Sequence, residues 1–144
     1  MALLYQLSYL GDVRKHTIYT CALYTYRMEH LSNYEKEDRP WGNFERFTLN
    51  ETTTVKIITV NAGEAFSLQT HEHRDEFWRV IKGSGTVRIG ETDHDAHEGN
   101  MFFIPRGSEH RVTGGPEGVA FLEIAFGDFD EGDIKRLEDR YGRI

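Results

Sequence analysis

The sequence predicts an all-β domain, a small antiparallel barrel or sandwich, closed by one short C-terminal helix. Three observations carry that expectation. Short runs rich in β-branched and aromatic residues recur from Arg39 onward. Turn signals separate them, among them Asn61-Ala62-Gly63, Lys82-Gly83-Ser84-Gly85 and Gly90. Helical spacing is found only near the C-terminal end. A chain of 144 residues suits one domain with room for a sizeable core.

The elements follow in order. Residues 1–34 read as an extension outside a domain of residues 35–144. The first 28 residues hold five of the seven tyrosines and carry one acid, Asp12, against Arg14, Lys15 and Arg27. Met28 offers a later start, so the extension is expected to be weakly ordered or in part not translated. No apolar run follows a charged start, as a signal peptide requires. Val55 to Val60 is a β-branched strand. Phe77 to Ile81 is another, Lys82 to Gly85 its turn, and Thr86 to Ile89 the alternating strand that follows. His94 and His97 read as a solvated hairpin loop. Met101 to Ile104 is a short apolar strand stopped by Pro105, and Val119 to Phe126 is one more. Asp130 can cap the closing helix with Asp133 in its first turn. There Ile134, Leu137 and Tyr141 fall at i, i+3 and i+7 and make one apolar stripe.

Composition excludes several classes. A net charge of −7 repels phosphate backbones, so nucleic acid is not an expected partner. No run approaches the roughly 20 apolar residues that span a bilayer, so no membrane partner is expected either. The one cysteine, Cys21, cannot form an internal disulfide, and the chain reads as cytoplasmic.

The chemistry concentrates in two stretches. In Gln69-Thr70-His71-Glu72-His73-Arg74-Asp75-Glu76, a strand would point His71 and His73 to one face, with Glu76 close behind. Gln69 shares that parity. Imidazole plus carboxylate suits Zn, Mn, Fe, Co or Ni without choosing firmly among them. Alone, a His-x-His pair is weak evidence, because solvated strands carry it too. The second stretch runs Gly99, five residues, Pro105-Arg106-Gly107, two residues and His110.

Together the two stretches resemble the two motifs of the cupin superfamily, with six residues between Glu76 and Gly83 and the second motif matched without a gap. The resemblance implies a double-stranded β-helix, or jelly-roll, barrel. It implies that His71, His73, Glu76 and His110 hold a divalent metal ion. Two departures stand out: the interval from His73 to Glu76 is short for the pattern, and Gly114 replaces a frequent asparagine. A metal-free cupin would be expected to have lost a ligand, and all four are present.

Three further stretches resemble the C-terminal domain of the type II mannose-6-phosphate isomerases, which usually follows a mannose-1-phosphate guanylyltransferase domain. They are Arg39-Pro40-Trp41-Gly42 with Phe44-Glu45, the run from Ser67 to Trp78, and Asp133-Ile134 with Glu138-Asp139-Arg140-Tyr141-Gly142-Arg143. The resemblance implies a metal-dependent aldose–ketose isomerase of a phosphosugar, foremost mannose 6-phosphate to fructose 6-phosphate. The residues ahead of the match are too few for a nucleotide-binding domain, so guanylyltransfer within these 144 residues is not expected. A proton transfer between C1 and C2 needs a base, for which Glu109, Glu123 and a metal-bound hydroxide are candidates. Gln69, Glu109 and Arg111 form the expected catalytic set. Arg74, Arg140 and Arg143 are the expected phosphate ligands, since guanidinium pairs with phosphate through two hydrogen bonds. Trp41 and Trp78 read as barrel packing. A non-catalytic sugar-phosphate-binding cupin and an oxidative, dioxygenase-like cupin are the alternatives. A homodimer joined through sheet edges is a further expectation.

Overall fold

The computed structural model describes residues 31–143. The extension up to residue 30, with Met28, Cys21, His16 and His30, lies outside the described residues. The chain divides into two compact units, the first ending at Leu49 and the second running Asn50–Ile144.

The described part of the first unit is a hairpin of β1 (Glu35–Arg39) and β2 (Gly42–Arg46), turned at Pro40-Trp41. Proline cannot donate a ladder hydrogen bond, and Gly42 follows at a φ of 141°, so this pair reverses the chain without strain. Cross-strand pairs Lys36–Glu45 and Arg46–Glu35 decorate the ribbon. Trp41 sits at the tip and is 73% exposed, which corrects the expectation that it packs inside a barrel.

The second unit contains β3 (Thr53–Val60), β4 (Leu68–Thr70), β5 (Asp75–Ile89), β6 (Thr92–His97), β7 (Met101–Ile104), β8 (His110–Phe126) and β9 (Lys135–Glu138). All pair antiparallel in one sheet. Two long strands organise it. β5 and β8 run side by side from Asp75↔Phe126 to Ile89↔His110. Toward the N-terminal end of β5, β7 and β3 flank the pair; toward its other end, β6 and β4 do. The bent sheet encloses Val60, Trp78, Val80, Val87, Ala96, Phe102, Ile104, Val112, Val119 and Phe121. Burying each of the larger of these contributes about 1.5–3 kcal/mol relative to exposure.

The bend explains a difference from the sequence expectation. Lys82 to Gly85 is not a turn; β5 passes through it without a break. The register shifts between Val80 and Lys82 and again between Gly83 and Gly85, so the strand bulges and curves. Gly83 has a φ of 76°, and a Cβ there would lie 2.3 Å from the Gly118 carbonyl oxygen. Glycine therefore marks a crossing of two backbones rather than a reversal. The 92–97 segment, expected as a loop, is strand β6, with Ala96 buried and His94 beside Phe102.

No helix is present among the described residues, so the expected C-terminal helix is corrected. Residues 135–138 instead form β9 and pair with β4. A helix of about ten residues is marginal in water, whereas the free edge of β4 offers backbone partners at once. No helix of the described residues is long and apolar enough to cross a membrane.

Candidate metal centre

Three buried side chains converge at one end of the second unit. His71 follows β4, Glu76 lies in the second position of β5, and His110 opens β8. Their donor atoms all lie within 4.8 Å of one another. Two features bring the segments together. Gln69 and His110 are register partners on β4 and β8. The Gly107 N–H, in the Pro105-Arg106-Gly107 turn, donates to the His71 carbonyl at 2.6 Å. Gly107 has a φ of 79°, the conformation for which the motif needs glycine.

Hydrogen bonding fixes the tautomers. His71 Nδ1 lies 2.9 Å from the Asp133 carbonyl oxygen, and His110 Nδ1 lies 2.9 Å from that of Ser108. A carbonyl only accepts, so Nδ1 carries the proton on both rings and each Nε2 keeps its lone pair. Both Nε2 atoms lie near the Glu76 carboxylate, with His71 Nε2 3.2 Å from Oε1 and His110 Nε2 3.9 Å from Oε2. Burial pushes the His71 pKa down and lowers that of His110 to about 4, so both rings are neutral near pH 7. Neutral imidazoles with Nδ1 spent on carbonyls, beside a carboxylate, make a donor set that could hold a divalent ion.

Around them, the Trp78 indole donates to Glu76 Oε2 at 3.2 Å, and Arg74 Nε donates to Oε1 at 2.9 Å. The Ser67 hydroxyl donates to Gln69 Oε1, which turns the Gln69 amide nitrogen to 3.4 Å and 3.5 Å from the two Nε2 atoms.

His73 is left out of this cluster. β4 ends at Thr70 and β5 starts at Asp75, so the strand alternation expected to align His73 with His71 does not operate. The Asp133 carboxylate accepts from the N–H groups of Glu72 and His73 and turns the loop, leaving His73 exposed. Arg74 is buried where a second imidazole was expected.

Of the other expected residues, Gln69, Arg74 and Arg143 line a cavity of about 190 Å³ beside Glu76. Arg111 follows inward-facing His110 and by strand parity turns outward, where it pairs with Glu138 and lines a different cavity. Glu109 is exposed just ahead of β8, and Arg140 is exposed with Nη1 on the Gly63 carbonyl. None of these three lines the cavity beside Glu76.

Sequence reading missed Lys56 and Arg136, which line the same cavity, and the orienting role of Asp133. The Asp133-Ile134 motif was the available signal, since β9 follows it directly. Glu123 also lines the cavity. Burial, with the nearby Glu76 charge, raises its pKa to about 7.

The family comparison agrees with the fold. Residues 27–139 match the family described as "Mannose-6-phosphate isomerase C-terminal". The chain belongs to this family. Over 108 residues it is 37% identical to the mannose-1-phosphate guanylyltransferase ManC of Salmonella typhimurium, covering 74% of this chain and 22% of that protein. It is 36% identical to the alginate biosynthesis protein AlgA of Pseudomonas putida, covering 83% of this chain and 24% of AlgA. The mannose-6-phosphate isomerase C-terminal domain seen here thus spans about a quarter of the length of the relatives it matches. Among solved structures, a cupin-2 domain from Rhodospirillum rubrum superposes with a TM-score of 0.56 at 17% identity, covering 74% of this chain and 75% of that one, which shows the cupin fold.

These names correct the expected aldose–ketose isomerisation. Guanylyltransfer to mannose 1-phosphate is chemistry at a phosphate, not a proton transfer between C1 and C2 of a sugar. The domain's family name carries the word isomerase, but the relatives with matching sequence are named for guanylyltransfer and polysaccharide biosynthesis.

Proposed function

We propose that this domain holds a divalent metal ion and binds a mannose phosphate, serving the enzymes of mannose-phosphate metabolism to which its relatives belong. His71, Glu76 and His110 would hold the ion. The observation that carries the reading is the pair of neutral imidazoles whose Nδ1–H groups are spent on the Asp133 and Ser108 carbonyls. When bound, the ion would supply Lewis acidity toward sugar hydroxyls.

The chain's own residues supply the remainder. Lys56, Arg74, Arg136 and Arg143 face the cavity beside Glu76, and guanidinium groups pair with phosphate through two hydrogen bonds. Arg136 Nε is buried with no hydrogen-bond partner among the described residues, and an anionic oxygen would satisfy it. Ser67 holds Gln69 in place beside the imidazoles, where it can orient a hydroxyl.

The test is calorimetric titration of the full chain with Zn²⁺, Mn²⁺ and Co²⁺, followed by mannose 1-phosphate, mannose 6-phosphate, mannose and inorganic phosphate. Metal binding that His110→Ala abolishes, with phosphosugar bound more tightly than mannose, is the expected result. Folded wild-type protein that takes up no metal, or binds mannose and its phosphates equally weakly, refutes the proposal.

A further inference from the structure

Arg74 is 3% exposed and lies against the very atoms that would bind metal. Its Nε donates to Glu76 Oε1 at 2.9 Å, its Nη2 lies 3.1 Å from His71 Nε2, and its Nη1 donates to the Asp130 carbonyl at 2.9 Å. The guanidinium also stacks on Phe129, with Cζ 4.6 Å from the ring centroid. Because His71 Nδ1 carries the proton, Nε2 is the acceptor and Arg74 is its donor. An imidazole nitrogen has one lone pair in the ring plane, and it cannot serve a guanidinium and a metal ion at once.

We infer that Arg74 is an internal cation that competes with metal for His71 and Glu76, so that metal binding moves its guanidinium off those atoms and offers it to the adjoining cavity. This deepens the metal-centre reading and rests on it. In the metal-free chain Arg74 neutralises Glu76, which is 1% exposed and would otherwise be an uncompensated buried charge. A divalent ion takes over that neutralisation and repels the guanidinium at contact distance. The Asp130 carbonyl and the Asp133 carboxylate, 3.8 Å from Nη1, remain as anchors while Nε and Nη2 become free donors. Arg74 lines the cavity with Arg136 and Arg143, so the freed donors face the place where an anion would sit. Metal then raises anion affinity, and the anion raises metal affinity by the same factor.

The experiment uses the full chain. Zn²⁺ titration of Arg74→Gln is expected to show at least tenfold tighter binding than wild type, because no charge-assisted hydrogen bond has to be broken on entry. A second measurement needs no variant and stands even if Arg74→Gln fails to fold. NMR of ¹⁵N-labelled wild type follows the Arg74 Nε–H, which should shift and exchange faster with solvent as Zn²⁺ is added. Equal affinity in wild type and Arg74→Gln, or an Arg74 Nε–H unmoved at saturating Zn²⁺, overturns this inference and leaves the metal centre standing. Failure of both wild type and Arg74→Gln to bind Zn²⁺ overturns the metal centre, and the inference with it.

Discussion

Replacing Glu123 by glutamine should make the protein's stability respond differently to pH. Glu123 is 5% exposed on β8, near Glu76 and 3.9 Å from Lys56 Nζ. Burial raises its pKa from 4.5 to about 7. The folded state thus holds the Glu123 proton more tightly than the unfolded state does. Below pH 4.5 the carboxyl is neutral in both states and destabilises neither. As pH rises from 4.5 toward 7 the unfolded chain ionises first, so stability is lost across that window and the loss is complete above pH 7. Moving one carboxyl pKa this far corresponds to about 3 kcal/mol at pH 8. Glutamine keeps the shape and hydrogen-bonding capacity but carries no titrating proton. Urea unfolding with a chelator present should therefore show Glu123→Gln gaining about 3 kcal/mol over wild type between pH 4.5 and pH 8. A stability difference that stays constant across that range would refute the reasoning.

Other consequences are equally direct. Gly114→Ala should destabilise by about 1–3 kcal/mol in urea unfolding, because its Cβ would fall 2.3 Å from the Asn61 carbonyl oxygen; a neutral result would refute that close approach. His73→Ala should leave Zn²⁺ affinity within about twofold of wild type, while His71→Ala should lose binding by calorimetry, since only His71 joins the buried cluster. Trp78→Phe removes the indole donor to Glu76 Oε2 and should cost about 1–3 kcal/mol of metal-free stability. Zn²⁺ at about a hundred times its dissociation constant should raise wild-type stability by about 2.7 kcal/mol, and His110→Ala should erase the gain; thermal unfolding with and without metal checks it.

Local chemistry made much of this protein legible from the chain alone. Residues 55–60, 101–104 and 119–126 form strands because β-branched and aromatic runs bounded by turn residues suit a half-buried pleated surface. His71, Glu76 and His110 stood out because their residue types and spacing match two sequence motifs, and the structure brings these three together. The cupin fold followed from the same motifs. What the chain could not show depended on distant partners. Gly83 and Gly85 look like a turn until Gly118 and Thr113 are seen pressing on them from β8. Ile134, Leu137 and Tyr141 have helical spacing, but the open edge of β4 recruits the intervening backbone as a strand. His73 lost its expected direction to the Asp133 carboxylate, sixty residues away in sequence. Arg74 became a buried partner of Glu76 through contacts with Asp130 and Phe129. Sequence patterns record what each residue favours among its near neighbours. Which backbone edge is free, and which charge is left buried without a partner, is decided only when strands far apart in the chain meet.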